Sequence, residues 1–239
     1  MKKLFVLLLS AFVISDSYAQ HKKQILLKWA PASLEAGKIT VGGEYNFRKK
    51  SSIEFFIGLP APMNHKFKYD NNNSDLTSKA FSLLAGYRYY FGKKNVSGVY
   101  VEPYAKYLHH MAAGILQGQL NGEVATFDTK SDYKGYGIGA QLGVQFLIAK
   151  RFSFDLFILG PEANTSEFNT VSTDVASNIP WTMIQANEAE KDIKDAFKNI
   201  PIIGDKIEVK VDQSTKTVTT RYNGFLPGLR FGASVGIRL

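Results

Sequence analysis

The sequence predicts an all-β protein: an eight-stranded antiparallel transmembrane β-barrel with short periplasmic turns and long extracellular loops. Three observations support this fold class. Apolar and polar residues alternate with a period of two along most of the chain. The composition favours strands, with 13% aromatic residues and 20 glycines. The chain also begins with an apolar segment typical of exported proteins. At 239 residues it fits one large all-β domain.

The composition excludes several classes of protein and site. With 45% hydrophobic residues, the chain is too apolar to be intrinsically disordered. The absence of cysteine excludes disulfide frameworks, thiolate metal sites and cysteine nucleophiles. The net charge of +8 comes from basic residues scattered along the chain, whereas a nucleic-acid-binding protein concentrates them on one surface. We therefore expect no nucleic-acid partner.

The first residues have the pattern of a secretory signal peptide. Two lysines precede an apolar run over 4–14, and Ser17-Tyr18-Ala19 supplies the small residues that signal peptidase recognises. The run is shorter than the ~20 residues that a membrane-spanning helix needs, and an uncleaved anchor helix is the alternative. The sequence thus predicts a signal peptide at 1–19 and a mature, exported protein at 20–239.

The rest of the chain contains runs in which every second residue is apolar, which is the pattern of a β-strand. In the last run, Leu229, Phe231 and Val235 share one face, while Arg230 and Gly232 share the other. Such runs match the ~9–11 residues that a tilted strand needs to cross a bilayer. We expect strands near 25–32, 38–47, 53–60, 80–91, 98–111, 135–148, 152–160 and 225–239.

The distribution of charge between the two faces of these strands predicts which face points outward. One face is almost free of charge, and the other combines glycine with charged and tyrosine side chains. A soluble periplasmic binding barrel, the main alternative, would carry its charges on the outer face. We therefore place the apolar face against lipid and the mixed face in a narrow, packed interior.

The ionisable residues of the mixed face are expected to form a paired network inside the barrel. Five are positive and four are negative, and near-balance is required because one unpaired buried charge costs ~3–5 kcal/mol. The predicted interior network consists of Lys28, Glu44, Glu54, Arg88, Glu102, Lys106, Asp155, Arg230 and Arg238.

Short and long connections alternate between the predicted strands, as in outer-membrane barrels. The short, basic connections are 48–52, 93–97 and 149–151. The long, polar connections are 60–79, 112–134 and 161–223. If the short turns are periplasmic, both chain ends are periplasmic and the long loops are extracellular. Aromatic residues are expected to form an interfacial girdle: Tyr45, Phe47, Phe55, Tyr89, Phe91, Phe146, Phe152 and Phe154.

These features together resemble a known class of membrane protein. The signal peptide, the hairpins, the stretch Gly86-Tyr87-Arg88-Tyr89-Tyr90-Phe91 and the alternating C-terminal strand resemble small outer-membrane β-barrels of the OmpA/OmpX type. Over nearly all of the mature chain, the sequence more closely resembles an uncharacterised, DUF3575-like barrel family of unknown function. The resemblance implies a barrel fold and assembly through the C-terminal strand, and it implies no activity. Such barrels usually end in an aromatic residue, whereas this chain ends in Leu239.

The longest connection, 161–223, is expected to carry its own helix and hairpin. Asn187 and Glu190 form a capping pair, and apolar residues follow at helical spacing. The segments 207–211 and 217–221 then alternate as a polar hairpin. This cap is a lid or recognition surface for an extracellular partner, or it only shields the barrel mouth. The side chains expected to pack together in it are Trp181, Ile193, Phe197 and Ile202.

Signals for catalysis or metal binding are weak. The segment 70–75 resembles a calcium-binding loop, but Asp75 stands in place of the turn glycine and Phe81 in place of the bidentate glutamate. His109 and His110 are neighbours in a strand, so their side chains point to opposite faces. The sequence contains no G-x-S-x-G, H-E-x-x-H or phosphate-binding glycine loop. We therefore assign no catalytic, cofactor-binding or metal-binding residue.

The sequence predicts an integral protein of the outer membrane of a Gram-negative-type envelope, with a structural or surface-interaction role and no enzymatic activity. Its expected partners are outer-membrane lipid, the barrel assembly machinery, and an extracellular ligand at the long loops. A small-solute channel and a lipid-binding or lipid-modifying barrel are the alternative functions.

Overall fold

The computed structural model describes residues 23–69, 72–92, 96–120, 123–176, 179–198, 200, 202–204 and 206–239. The predicted signal peptide over 1–19 and its cleavage site before Gln20 lie outside the described residues. So do Asp70 and Asn71 of the segment that resembles a calcium-binding loop.

Within the described residues the structure contains ten strands and two helices. The strands are β1 (Gln24–Ala30), β2 (Lys38–Arg48), β3 (Ser51–Pro60), β4 (Met63–Tyr69), β5 (Asn72–Tyr90), β6 (Gly98–Leu120), β7 (Glu123–Ile148), β8 (Phe152–Asp174), β9 (Glu208–Asp212) and β10 (Thr217–Arg238). A 3-10 helix spans Pro31–Ala36, and the α-helix α1 spans Met183–Lys198. No helix of the described residues is both long enough and apolar enough to cross a membrane.

Eight of these strands close into a ring, which confirms the predicted all-β, antiparallel fold class. The order is β1-β2-β3-β5-β6-β7-β8-β10, and β10 pairs with β1 to complete the ring. Strand β4 pairs with β5, and β9 pairs with β10, outside this cycle. We call the end with the β2–β3, β5–β6 and β7–β8 connections the turn end, and the opposite end the cap end.

The strands of the ring are staggered, as closure of a twisted sheet requires. Following the paired residues from Lys28 on β1 around the ring through β2 to β8 leads to Leu226 on β10. Lys28 itself pairs with Gly236, which lies ten residues further along the same strand. This stagger tilts the strands, and an interior bounded by eight strands is just wide enough for side chains to fill.

The predicted long loops are wrong over much of their length, because five strands continue past the cap end of the ring. Strand β8 continues to Asp174, and β10 begins at Thr217, which pairs with Thr173. Strands β6 and β7 also remain paired up to Leu120 and Glu123. Serine, threonine and asparagine occupy both faces here, so the period-two signal disappears although the backbone hydrogen bonds continue. The predicted hairpin at 207–221 is therefore β9 paired with the start of β10.

The cap helix begins earlier than predicted. The amide of Gln185 donates to Thr182 Oγ1 at 3.3 Å, and the amide of Thr182 donates to Gln185 Oε1 at 2.9 Å. This reciprocal pair is a capping box, and it satisfies two amides that the first helical turn leaves free. The start predicted at Asn187 is wrong because the true capping pair lies five residues upstream.

A short connection joins β1 and β2 at the cap end. The 3-10 helix there ends at Gly37, whose φ of 69° is left-handed. Its carbonyl accepts hydrogen bonds from the amides of Ala61 and Ala80, both at 2.9 Å. A Cβ at Gly37 would lie 2.4 Å from the carbonyl oxygen of Ser78, so only glycine fits. These two hydrogen bonds hold the connection against β5 and against the residue that follows β3.

Candidate functional site: the ring interior and its cap

Six charged side chains meet inside the ring near its turn end. They come from six strands, and alternation turns each one inward. None is more than 3% exposed. This interior charge cluster consists of Lys28, Glu44, Glu54, Arg88, Glu102 and Asp155.

Arg88 is the centre of the interior charge cluster. Its Nη2 lies 2.8 Å from Glu54 Oε2 and 2.6 Å from Glu102 Oε2. Its Nη1 lies 2.8 Å from Asp155 Oδ2 and 3.4 Å from Glu44 Oε2. The guanidinium also stacks 3.8 Å from the ring centroid of Tyr100. One planar cation therefore links carboxylates from four strands, which only arginine can do with this geometry.

Lys28 is the second cation of the cluster. Its Nζ lies 2.7 Å from Glu44 Oε2, 2.7 Å from Glu54 Oε1 and 3.1 Å from Asp155 Oδ2. It also donates to Gln145 Oε1 at 2.7 Å. Two cations thus share four carboxylates, and neutral donors supply further hydrogen bonds. These donors are the hydroxyls of Ser52 to Glu44 at 2.6 Å, Tyr90 to Glu44 at 2.7 Å and Tyr100 to Asp155 at 2.7 Å.

Apolar and aromatic side chains enclose the charge cluster on both sides. Toward the turn end, the buried side chains of Leu26, Tyr90, Val96 and Tyr100 pack together. Toward the cap end, Phe56, Leu84 and Tyr104 form a second buried group. The charges therefore lie between two groups of buried apolar and aromatic side chains, and their ion pairs link the strands to one another.

Three residues of the predicted interior network lie outside this cluster. Lys106 forms an ion pair with Glu162 closer to the cap end. Arg230 donates to Gln141 Oε1 at 2.6 Å and stacks 4.3 Å from the ring centroid of Phe157. Arg238 is half-buried at the turn end, and within the described residues it forms no salt bridge. These three residues lie at other positions along their strands than the cluster does. Alternation predicts the face on which a residue lies but not its position along the barrel axis.

Sequence reasoning missed Glu162, which is buried and faces the interior. Strand β8 has an extra residue between Phe157 and Gly160, where its pairing with both neighbours shifts. This bulge moves the inward positions from odd to even numbers, so Asp155 and Glu162 both point inside. A single period-two pattern cannot show this change of phase.

The outer face of the ring is apolar along its whole circumference. Outward positions carry aliphatic, aromatic, proline or glycine residues from Ile39 to Phe47 on β2 and from Tyr136 to Ile148 on β7. The side chains of Ile138, Ile158 and Phe231 are 67%, 74% and 74% exposed. We call this surface the apolar band.

The residues of the predicted aromatic girdle lie on the apolar band, and all except Phe55 lie near the turn end. Tyr45 and Phe47 have ring centroids 6.5 Å apart, and Tyr89 and Phe91 form an edge-to-face pair at 5.6 Å, both near turn-end connections. Phe146, Phe152 and Phe154 flank the β7–β8 turn. Phe55 instead pairs with Gly43 and Ala85 in the middle of β3. Phe55 therefore lies farther from the turn end than the other members of the predicted girdle, because alternation gives the face of a residue but not its height.

Beyond the apolar band the outer surface becomes polar. His109 Nε2 lies 2.8 Å from Asp132 Oδ2 on this surface, and the hydrogen bond from His109 lowers the pKa of the Asp132 carboxyl below its usual value. The neighbouring His110 lies on the inward face, on the side of Lys38. The two histidines therefore point to opposite faces.

We now use the word cap for α1, β9 and the connections next to them, since residues 161–174 belong to β8. The cap has its own apolar core, which lies against the inner face of the extended strands. Trp181 packs with Ala186, Ala189, Val209 and Val218, and the partly buried Phe127, Ile193 and Val211 lie against them. The indole of Trp181 donates to Asp174 Oδ2 at 3.0 Å, and its ring meets Phe127 edge-to-face with centroids 6.4 Å apart. The cap therefore folds onto β7, β9 and β10.

Two residues predicted in the cap core are not in it. Ile202 is 41% exposed, and Phe197 is half-buried near the end of α1. Strand residues Phe127, Val209 and Val218 take the expected places, since the longer strands provide a wall for the helix. At the β9–β10 turn, the Ser214 hydroxyl donates to Asp212 at 2.7 Å and lowers the pKa of that carboxyl.

Comparison with known proteins identifies a family for this sequence. The model of a family described as "Protein of unknown function (DUF3575)" matches residues 4–161. The matched range covers most of the ring and ends within β8, before the cap. Neither the curated proteins nor the solved structures gave a match.

Proposed function

The chain belongs to the DUF3575 family of proteins of unknown function, and we propose that it is an integral outer-membrane β-barrel that displays a folded cap for surface interaction. The apolar band is the observation that carries this proposal. The protein would reach the outer membrane through a cleaved signal peptide and the barrel assembly machinery, which would recognise β10.

The apolar band has the polarity and the height that a lipid environment requires. A soluble monomer rarely exposes a contiguous apolar patch larger than a few hundred Å², whereas here apolar side chains surround the ring. The stretch from Ile39 to Phe47 has about the length that crosses a bilayer, for which ~9–11 residues suffice. The charges lie inside instead, at Arg88 and its partners.

The filled interior favours a structural or surface-interaction role over a channel. The charge cluster and its two enclosing layers occupy the turn-end half of the ring. In an eight-stranded ring, side chains can fill the entire cross-section. A solute would have to displace Arg88 from four carboxylates to pass. We therefore propose neither a conducting pore nor a catalytic site.

We expect purified protein in planar bilayers to give no stable, porin-like currents, because the interior charge cluster closes the ring. Single-channel recording with a known porin as positive control provides the measurement. Large and stable open-channel currents would instead support a small-solute channel.

The cap offers a surface for an extracellular partner. Three large apolar side chains at or just before the start of α1, Ile179, Met183 and Ile184, are 75%, 68% and 76% exposed. They lie on a folded support, since Trp181 next to them is buried. A rigid scaffold that presents apolar side chains to water is typical of a binding surface.

Single cysteines test the orientation and the surface display, because the protein has no cysteine of its own. We expect cysteines at Lys66, Lys130 and Gln213, beyond the apolar band, to react with an impermeant thiol reagent on intact cells. Cysteines at Lys49 and Arg151, in turn-end connections, should react only after the outer membrane is opened. The reverse pattern would contradict the orientation, and labelling of both sets on intact cells would contradict membrane insertion.

A further inference from the structure

Three cations face the interior at the cap end of the ring. Lys38, Lys106 and Arg230 occupy inward positions of β2, β6 and β10. They lie on the cap side of the group formed by Phe56, Leu84 and Tyr104. Lys38 is within electrostatic reach of both other cations. Three like charges thus lie close together inside the ring, on the cap side of this buried group.

The carboxylate in this space does not balance the three cations. Glu162 accepts a hydrogen bond from Lys106 and another from the Tyr104 hydroxyl at 2.9 Å. Among the described residues, neither Lys38 nor Arg230 has a carboxylate within 4 Å. Within that part of the chain, one acid therefore faces three bases, whereas the interior charge cluster on the turn-end side holds four acids and two bases. Gln141 links the two groups, since it accepts from Arg230 and donates to Glu102 at 3.1 Å.

Small hydroxyl side chains converge beside Lys38. Its Nζ donates to Ser82 Oγ at 2.9 Å. The Thr40 Oγ1 is buried without a hydrogen-bond partner among the described residues, and Thr40 as a whole is 8% exposed. Gly58 allows these groups to approach closely: a Cβ there would lie 2.4 Å from Ser82 Oγ, 2.9 Å from Lys38 Cδ and 3.0 Å from Thr40 Oγ1. A buried hydroxyl without a partner is unfavourable, and an acceptor bound at this point would supply the missing hydrogen bond.

We propose that the cap end of the ring interior binds a small oxyanion of the phosphate class. Lys38, Thr40 and Ser82 donate hydrogen bonds to it, and Lys106 and Arg230 supply further positive charge. Surplus positive charge next to low-dielectric walls concentrates anions. Water reaches the site, because the Lys106 side chain is 23% exposed. The site lies inside the ring, so this inference is separate from the surface-interaction role and does not depend on it.

Thermal unfolding of the full mature protein in neutral detergent, with inorganic phosphate exchanged for chloride at constant ionic strength, tests the site. We expect a saturable rise in the unfolding temperature with phosphate. Lys38→Gln should weaken the apparent phosphate affinity by roughly tenfold or more, since a hydrogen bond to a charged group contributes about 1.5–3 kcal/mol. Lys79→Gln, which removes an exposed, outward-facing lysine of β5, is the matched control and should leave the affinity unchanged.

A second variant keeps the test decisive if Lys38→Gln folds poorly. Thr40→Val removes the unpartnered hydroxyl at nearly constant volume, so it should not destabilise the phosphate-free protein, yet it should weaken phosphate binding. An equal response to chloride and phosphate, or wild-type affinity in both variants, would overturn the proposal. Reconstitution into phosphatidylcholine or phosphatidylglycerol vesicles, without inorganic phosphate, tests whether the bound oxyanion belongs to a lipid headgroup. If only phosphatidylglycerol stabilises the protein, and only when Lys38 is present, the free-ion site is overturned.

Discussion

Arg88→Met is expected to lower the free energy of unfolding by about 3–5 kcal/mol, because it leaves carboxylates of the interior charge cluster without their shared cation. The guanidinium contacts Glu44, Glu54, Glu102 and Asp155, all of which are buried. Methionine fills much of the same volume, so the loss reflects charge and hydrogen bonding more than packing. Urea unfolding, followed by the difference in gel migration between heated and unheated samples, measures the effect.

Two variants make the result for Arg88 specific. Arg221→Met removes an exposed arginine of β10 that contacts Asn169 at 3.4 Å, and it should change stability by less than about 0.5 kcal/mol. Arg88→Lys keeps the charge but loses the planar set of donors, so its stability should lie between the wild type and Arg88→Met. Wild-type stability of Arg88→Met would contradict a central role for this residue.

Trp181→Ala is expected to destabilise the cap by about 3–5 kcal/mol while the ring stays folded. The indole fills the centre of the cap core and donates to the buried Asp174. Its loss leaves a cavity and removes a hydrogen bond from that carboxylate. Hydrogen exchange should show lost protection of the α1 amides after Ala186, with unchanged protection in β2 and β3.

The control for the cap is Ile184→Ala, which truncates an exposed side chain two positions from the capping box residue Thr182. We expect its helix protection to match that of the wild type. If Trp181→Ala also kept full protection of α1, the cap would not depend on its apolar core. Loss of protection throughout the ring would instead mean that ring and cap unfold as one unit.

The ring could be predicted from the sequence because each strand obeys one strong constraint. The outward positions of the apolar band are apolar, and charged residues such as Glu44 and Arg88 lie only on the opposite face. Alternation alone assigns all six members of the interior charge cluster to one face, and in the structure all six are buried inside the ring. The distances among them depend on strand stagger, which alternation does not encode.

The remaining features depend on constraints that leave a weaker pattern. Beyond the apolar band, strands such as β8 meet polar surroundings on both sides, so residues 161–174 alternate too weakly to be recognised as a strand. The bulge before Gly160 reverses the phase that places Glu162 inside. The start of α1 had a readable signal, Thr182 with Gln185, that competed with the equally regular Asn187 and Glu190.

The central claim, that the apolar band lies in the outer membrane, is tested most directly by alkaline carbonate extraction of cell envelopes combined with heat-dependent gel migration. The account predicts that the mature protein stays in the outer-membrane pellet after carbonate treatment and migrates differently before and after boiling. Arg221→Met should behave identically, since its change lies outside the apolar band. Release of the folded protein into the soluble periplasmic fraction would contradict the account.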